Sequence, residues 1–96
     1  MSVLIDQPMW PAHGTVWSHL VSDSSLAELH AFAAANGIPR RGFDLDHYDV
    51  PARLHASLVA AGAHPVGNRE LVLRLRASGL RGSARERAAR SDPPAS

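Results

Sequence analysis

Cysteine and lysine are both missing from this chain of 96 residues. Without cysteine there can be no disulfide, no thiolate metal site and no sulfur nucleophile, and the composition suits a reducing compartment. Without lysine, all ten cations are arginines. Arginine favours bidentate contacts with carboxylate and phosphate, although a GC-rich genome accounts for the same bias together with the abundant alanine. Long apolar runs are lacking as well, and nothing approaches the roughly 20 residues of a membrane span. Met1 to Asp6 has no basic leader and only three consecutive apolar residues, which does not fit a signal peptide, so the expected location is cytoplasmic. There is no phosphate-binding glycine loop, no Gly-x-Ser-x-Gly elbow and no helix with a basic face interleaved with aromatics.

What remains is ordinary in amount and uneven in placement. An apolar share of 45% and a charged share of 20% describe a globular chain long enough for one domain. Residues 1–80 hold six arginines against seven acids, whereas residues 81–96 hold four arginines against two acids. The expected organisation is a single domain over 1–80 and a disordered arginine-containing tail over 81–96, where nothing is available to bury. The near-neutral domain has no field that would gather nucleic acid, so charge does not indicate that partner, nor a membrane. No other partner is named by the sequence, and homo-oligomeric assembly stays open.

Periodicity supplies the elements. Val3-Leu4-Ile5 predicts a short buried strand ended by Asp6-Gln7-Pro8, and Met9 to Gly14 predicts a loop. Thr15 to Val21 alternates with period two, a second strand. Ser25 and Glu28 form a capping box for a helix with Leu26, Leu29 and Phe32 on one face. Asn36-Gly37-Ile38 closes it. His47 to Val50 is a short strand or an ordered loop, and Pro51 opens a second helix carrying Leu54, Leu58 and Ala61. His64-Pro65-Val66 is a brief edge strand, and Asn68 caps a third helix with Leu71 and Leu75 inward. The fold class is therefore α/β, a small mixed sheet of about three strands flanked by about three helices, in two or three layers.

Six histidines stand among these elements, several beside acids. Asp6 ends the first strand, His19 and Asp23 bracket the end of the second, and His47 and Asp49 flank Tyr48 at the next junction. Were these strands parallel neighbours, their carboxyl ends would share the rim where open α/β sheets place ligands. Asp6, His19, Asp23, His47 and Asp49 then form a candidate divalent-metal set, with His19, His47 and Asp49 as its catalytic centre. Mixed imidazole and carboxylate donors suit Mn²⁺, Fe²⁺ or Zn²⁺. A water on such an ion would attack a phosphoester of, for example, a nucleotide. Without metal, a carboxylate-held histidine is a general base, or the same groups simply bind a small ligand. Each acid also has a plainer reading: Asp6 in the turn before Pro8, Asp23 and Asp49 as helix caps. Trp10 and Trp17, separated by a Pro/Gly loop, are either core or an aromatic wall for a base or sugar. The rival function is a non-catalytic adaptor or regulatory module that binds a protein or nucleic-acid partner through the last helix and the tail.

Several spaced motifs run through the chain: Asp6-x-x-x-Trp10-Pro11, Gly14-x-x-Trp17-x-His19-Leu20-x-x-Asp23, Glu28-Leu29-His30-x-Phe32-Ala33, His47-Tyr48-Asp49, Gly62-Ala63 and Arg69-Glu70-Leu71. Together they resemble the bacterial and phage domain-of-unknown-function family 4031, across about residues 3–75. The resemblance implies no activity. It does imply that Asp6, Trp10, Trp17, His19, Asp23, His30, His47, Tyr48, Asp49, Arg69 and Glu70 occupy family motif positions. On that ground Tyr48 and Arg69 join Asp6, Trp10 and Trp17 as candidate ligand-binding residues. One departure is Gly42-Phe43, where the family pattern would set a Trp-Phe pair.

Overall fold

The computed structural model of the protein describes residues 2–80, so the tail expected over 81–96 lies outside the described residues. Its backbone is β1 (Val3–Ile5), β2 (Trp10–Ala12), β3 (Thr15–Ser22), α1 (Leu26–Ala35), β4 (Phe43–Asp44), β5 (His47–Pro51), α2 (His55–Ala60), β6 (His64–Pro65) and α3 (Asn68–Ser78). Short 3₁₀ turns over Arg40–Gly42 and Ala52–Leu54 lead into β4 and α2.

The sheet has six strands rather than about three, in the order β4-β5-β3-β1-β6 with β2 also on β3. Two of the additional strands come from tight hairpins. Met9 to Gly14 is not simply a loop, because Trp10, Pro11 and Ala12 pair antiparallel with Trp17, Val16 and Thr15. His13 and Gly14 join them with φ of +50° and +79°. Two successive positive φ values are what a two-residue hairpin turn requires. Pro11 survives in β2 because that strand lies at an edge, where a missing N–H breaks no ladder. The second hairpin pairs Phe43 with Tyr48 and Asp44 with His47.

Pairing sense also differs from expectation. β1 with β3, and β3 with β5, are antiparallel, and β1 with β6 is parallel. The sheet is mixed, but β1, β3 and β5 do not share a carboxyl-end rim.

Strand alternation divides the side chains between two faces. Val3, Ile5, Leu20, Tyr48 and Val50 pack with Leu29 and Ala33 of α1, Leu58 of α2, and Ala63. Leu4 and Val21 point the other way, against Leu71 and Leu75 of α3. The result is three layers, with α1 and α2 on one side of the sheet and α3 on the other. α1 is fixed at both ends: the Ser25 hydroxyl accepts from the Glu28 N–H. At its far end, Gly37 (φ +74°) lets the Ile38 N–H reach the Ala33 carbonyl at 2.9 Å. α3 begins from Gly67 rather than from an Asn68 cap, which leaves the Asn68 side chain for other work.

Candidate metal centre

α3 covers only part of its face of the sheet, and the uncovered part is polar. The register explains how. Ile5 stands opposite Leu20 and Leu20 opposite Tyr48 on the apolar face. One residue along each strand, the opposite face receives Asp6, His19 and Asp49, with His19 directly paired to Asp49. Asp6 extends the β1–β3 pairing by donating its N–H to the His19 carbonyl at 3.2 Å. His47, two residues before Asp49 on β5, shares its face.

Each of the two histidines is held from behind by a buried carboxylate. Asp6, 1% exposed, accepts from the His19 N–H at 2.6 Å, from His19 Nδ1 at 2.8 Å and from Asn68 Nδ2 at 2.7 Å. Asp46, 0% exposed, accepts from His47 Nδ1 at 2.7 Å. An ionised carboxylate only accepts, so Nδ1 of each ring carries the proton and Nε2 of a neutral ring offers its lone pair forward. Both Nε2 atoms face Asp49, whose side chain is 47% exposed: His47 Nε2 lies 3.3 Å and His19 Nε2 3.9 Å from its Oδ1. One donor atom from each of the three residues lies within 4.8 Å of the others. Donors around a tetrahedral ion with bonds near 2.1 Å sit about 3.4 Å apart, so modest side-chain movement closes the set. The His19 and His47 rings meet edge to face at 5.1 Å, and Trp10 covers His19 at 5.1 Å.

The charges follow from these contacts. Burial works against the Asp6 carboxylate, but the bonds from His19 and Asn68 outweigh it and hold the pKa below the usual carboxylate value. Burial likewise opposes the His47 imidazolium, yet Asp46 and Asp49 raise its pKa to about 9. The cluster without a cation is thus one that holds a proton tightly.

Two of these groups escape sequence reading. Asp46 is placed by a γ-turn: Leu45 has φ +58° and the Asp46 N–H bonds the Asp44 carbonyl at 2.6 Å. A branched residue at positive φ is strained, and here the strained residue sets the carboxylate that orients His47. The available signal is the Asp46-His47 adjacency. Asn68 has no such signal, since its bond to Asp6 spans 62 residues.

The remaining candidates lie elsewhere or play other parts. Trp17 pairs with Trp10 across β2 and β3, and its Nε1 donates to the Ala12 carbonyl at 2.9 Å. Tyr48 points to the opposite face because it alternates with His47 and Asp49. There its hydroxyl shares a hydrogen bond of 2.7 Å with His30 Nδ1. Burial and the Arg40 charge both lower the His30 pKa, in keeping with a neutral ring. Asp23 neither joins the cluster nor caps α1: it accepts from the Ser2 N–H and from Arg74, tying the start of β1 to α3. Arg69 is exposed in the first turn of α3. A Cβ at Gly42 would meet nothing nearer than 3.7 Å, so the backbone there does not demand glycine.

Fold and cluster together define a small three-layer α/β domain with two carboxylate-backed histidines and one exposed carboxylate on a half-covered sheet. The model of a family described as a protein of unknown function, DUF4031, matches residues 3–78, and the chain belongs to that family. No curated protein and no solved structure matches the chain. Among the described residues no helix is long and apolar enough to cross a membrane.

Proposed function

We propose that the domain binds one divalent metal ion through His19 Nε2, His47 Nε2 and the Asp49 carboxylate, and acts as a hydrolase on phosphoesters. The observation that carries this reading is the orientation of the imidazoles. Each has its Nδ1 committed to a buried aspartate, and both Nε2 atoms converge on a third, exposed carboxylate. Carboxylates behind ligating histidines fix the tautomer and raise the basicity of the ligand nitrogen. A structural ion pair would have needed only one histidine for Asp49.

Two imidazoles and one carboxylate leave coordination positions open, and the mixed donors suit Zn²⁺, Mn²⁺ or Fe²⁺. Such an ion brings the pKa of a bound water down to about 7 and polarises a phosphoryl oxygen. Hydrolysis then forms a bond from the water oxygen to phosphorus, breaks the P–O bond to the alcohol, and sends a proton out on the alcohol oxygen. In this chain Asp6 and Asp46 keep the rings in place, and Asn68 secures Asp6. The adaptor reading, through α3 and the tail, has no comparable geometric support among the described residues.

The test is a titration of the purified protein with Zn²⁺ and Mn²⁺ by calorimetry and thermal unfolding. One ion per chain is expected, with about 2.7 kcal/mol of added stability at a hundredfold excess over Kd. His19→Ala and His47→Ala should abolish the uptake while the far-UV spectrum stays native. A wild-type protein that takes up neither ion and shows no thermal shift sinks the proposal.

A further inference from the structure

Beside the cluster lies a second hollow, of about 420 Å³, whose lining includes Trp10, Trp17, Arg41 and Asp49. Trp10 also lines the smaller hollow, of about 260 Å³, that contains Asp6, His19 and His47 under the start of α3. The metal-ligand candidates therefore sit where two hollows meet, and Asp49 faces the aromatic one.

Resting on the metal reading above, we infer that the aromatic hollow receives the base of a mononucleotide, whose phosphate reaches Arg41 and the ion. Its size falls within the range of small-ligand pockets. Five aromatic residues serve the whole chain. Both tryptophans line this hollow, and Trp10 stays 46% exposed on an edge hairpin. A small domain with few aromatics gains more from burying a tryptophan than from displaying it, so a displayed indole is available to a planar partner. Bases stack on such surfaces, and a guanidinium forks onto phosphate. An aliphatic phosphoester would use Arg41 and the ion but leave the ring walls unmatched. A long nucleic acid would need a cationic track, whereas residues 1–80 carry six arginines against seven acids.

Calorimetry on the full chain with Zn²⁺ tests this, with AMP, adenosine, ribose 5-phosphate, inorganic phosphate and a single-stranded hexanucleotide as probes. AMP should bind more tightly than ribose 5-phosphate and more tightly than adenosine. Trp10→Ala should weaken AMP by roughly 5- to 150-fold, the worth of one stacked base, and leave inorganic phosphate within about threefold. Trp10→Phe should restore most of the loss. Arg41→Ala should bring AMP down towards adenosine. AMP binding no better than ribose 5-phosphate, or indifferent to Trp10→Ala, overturns the assignment even where Zn²⁺ binds. A hexanucleotide bound tenfold more tightly than AMP overturns it in favour of a strand. If Zn²⁺ fails to bind while AMP binds and depends on Trp10, the metal reading falls and the base pocket stands.

Discussion

Along three neighbouring strands, adjacent residues lead opposite lives. Ile5, Leu20 and Tyr48 form a row on one face of the sheet and are closed over by α1 and α2. Asp6, His19 and Asp49, each one position away in sequence, form the corresponding row on the other face, which α3 leaves partly open. The same backbone pairings place both rows, so the apolar row secures the geometry of the polar one. Imidazoles and a carboxylate do not gather in water unaided. Here a buried row of hydrocarbon fixes the register, and the polar row inherits it.

The comparison breaks most easily from the apolar side. Leu20 is wholly buried. Leu20→Ala should cost about 2–5 kcal/mol of stability, read by urea unfolding, because it removes transfer energy and leaves a cavity. Where the variant is still folded, in the cold, its affinity for Zn²⁺ should stay within a few-fold of wild type. Loss of metal binding with the fold intact would mean that the two faces are not separable in this way.

From the polar side the lever is charge. The folded-state pKa of His47, about 9, lies above its ordinary 6.5. A raised pKa makes the folded state the tighter proton binder. Its contribution to the metal-free protein is therefore fully present below about pH 6.5 and lost as the pH climbs through about 9. The loss is roughly 3 kcal/mol. Asp6 behaves in the opposite sense: its pKa is depressed, so its contribution holds above the ordinary carboxylate range and fades only in acid. Saturation with Zn²⁺ should flatten the alkaline limb, since the ion takes the place of the proton. Asp46→Asn should shrink that limb and weaken Zn²⁺ about 10- to 100-fold, the usual cost of losing a partner behind a ligating histidine. Stability flat from pH 6.5 to 9 in metal-free protein would remove the electrostatic account of the cluster.

Much of the scaffold could be read from residue patterns, and the reasons are local. Val3 to Ile5, the alternation of β3, and the Ser25 and Asn36-Gly37 ends of α1 are set by contacts within a few residues. The hairpin of β2 was hidden because Pro11 and Gly14 look like loop chemistry until both turn residues are known to take positive φ. The meeting of His19 with Asp49 depends on antiparallel register, which no local pattern states. Parallel strands would also have brought the groups together, but at a rim rather than across a face. Tyr48 was grouped with its neighbours by sequence, and period two separates it from both. Asn68 read as a cap because its partner, Asp6, lies at the far end of the domain.

The smallest effect worth measuring concerns Leu45, where the polar row rests on local backbone strain. At φ +58° a leucine sits in a conformation that glycine adopts freely. Leu45→Gly should relieve that strain, lose the partly buried leucine contacts and add freedom to the unfolded chain. The opposing contributions leave stability within about 1 kcal/mol of wild type. The γ-turn then has less to hold it, and with it the position of Asp46 behind His47. Zn²⁺ affinity should fall by a few-fold, less than for Asp46→Asn, while unfolding in urea stays nearly unchanged. If stability rises by well over 1 kcal/mol with no change in affinity, the turn is merely strained and the side chain at Leu45 has no part in presenting Asp46.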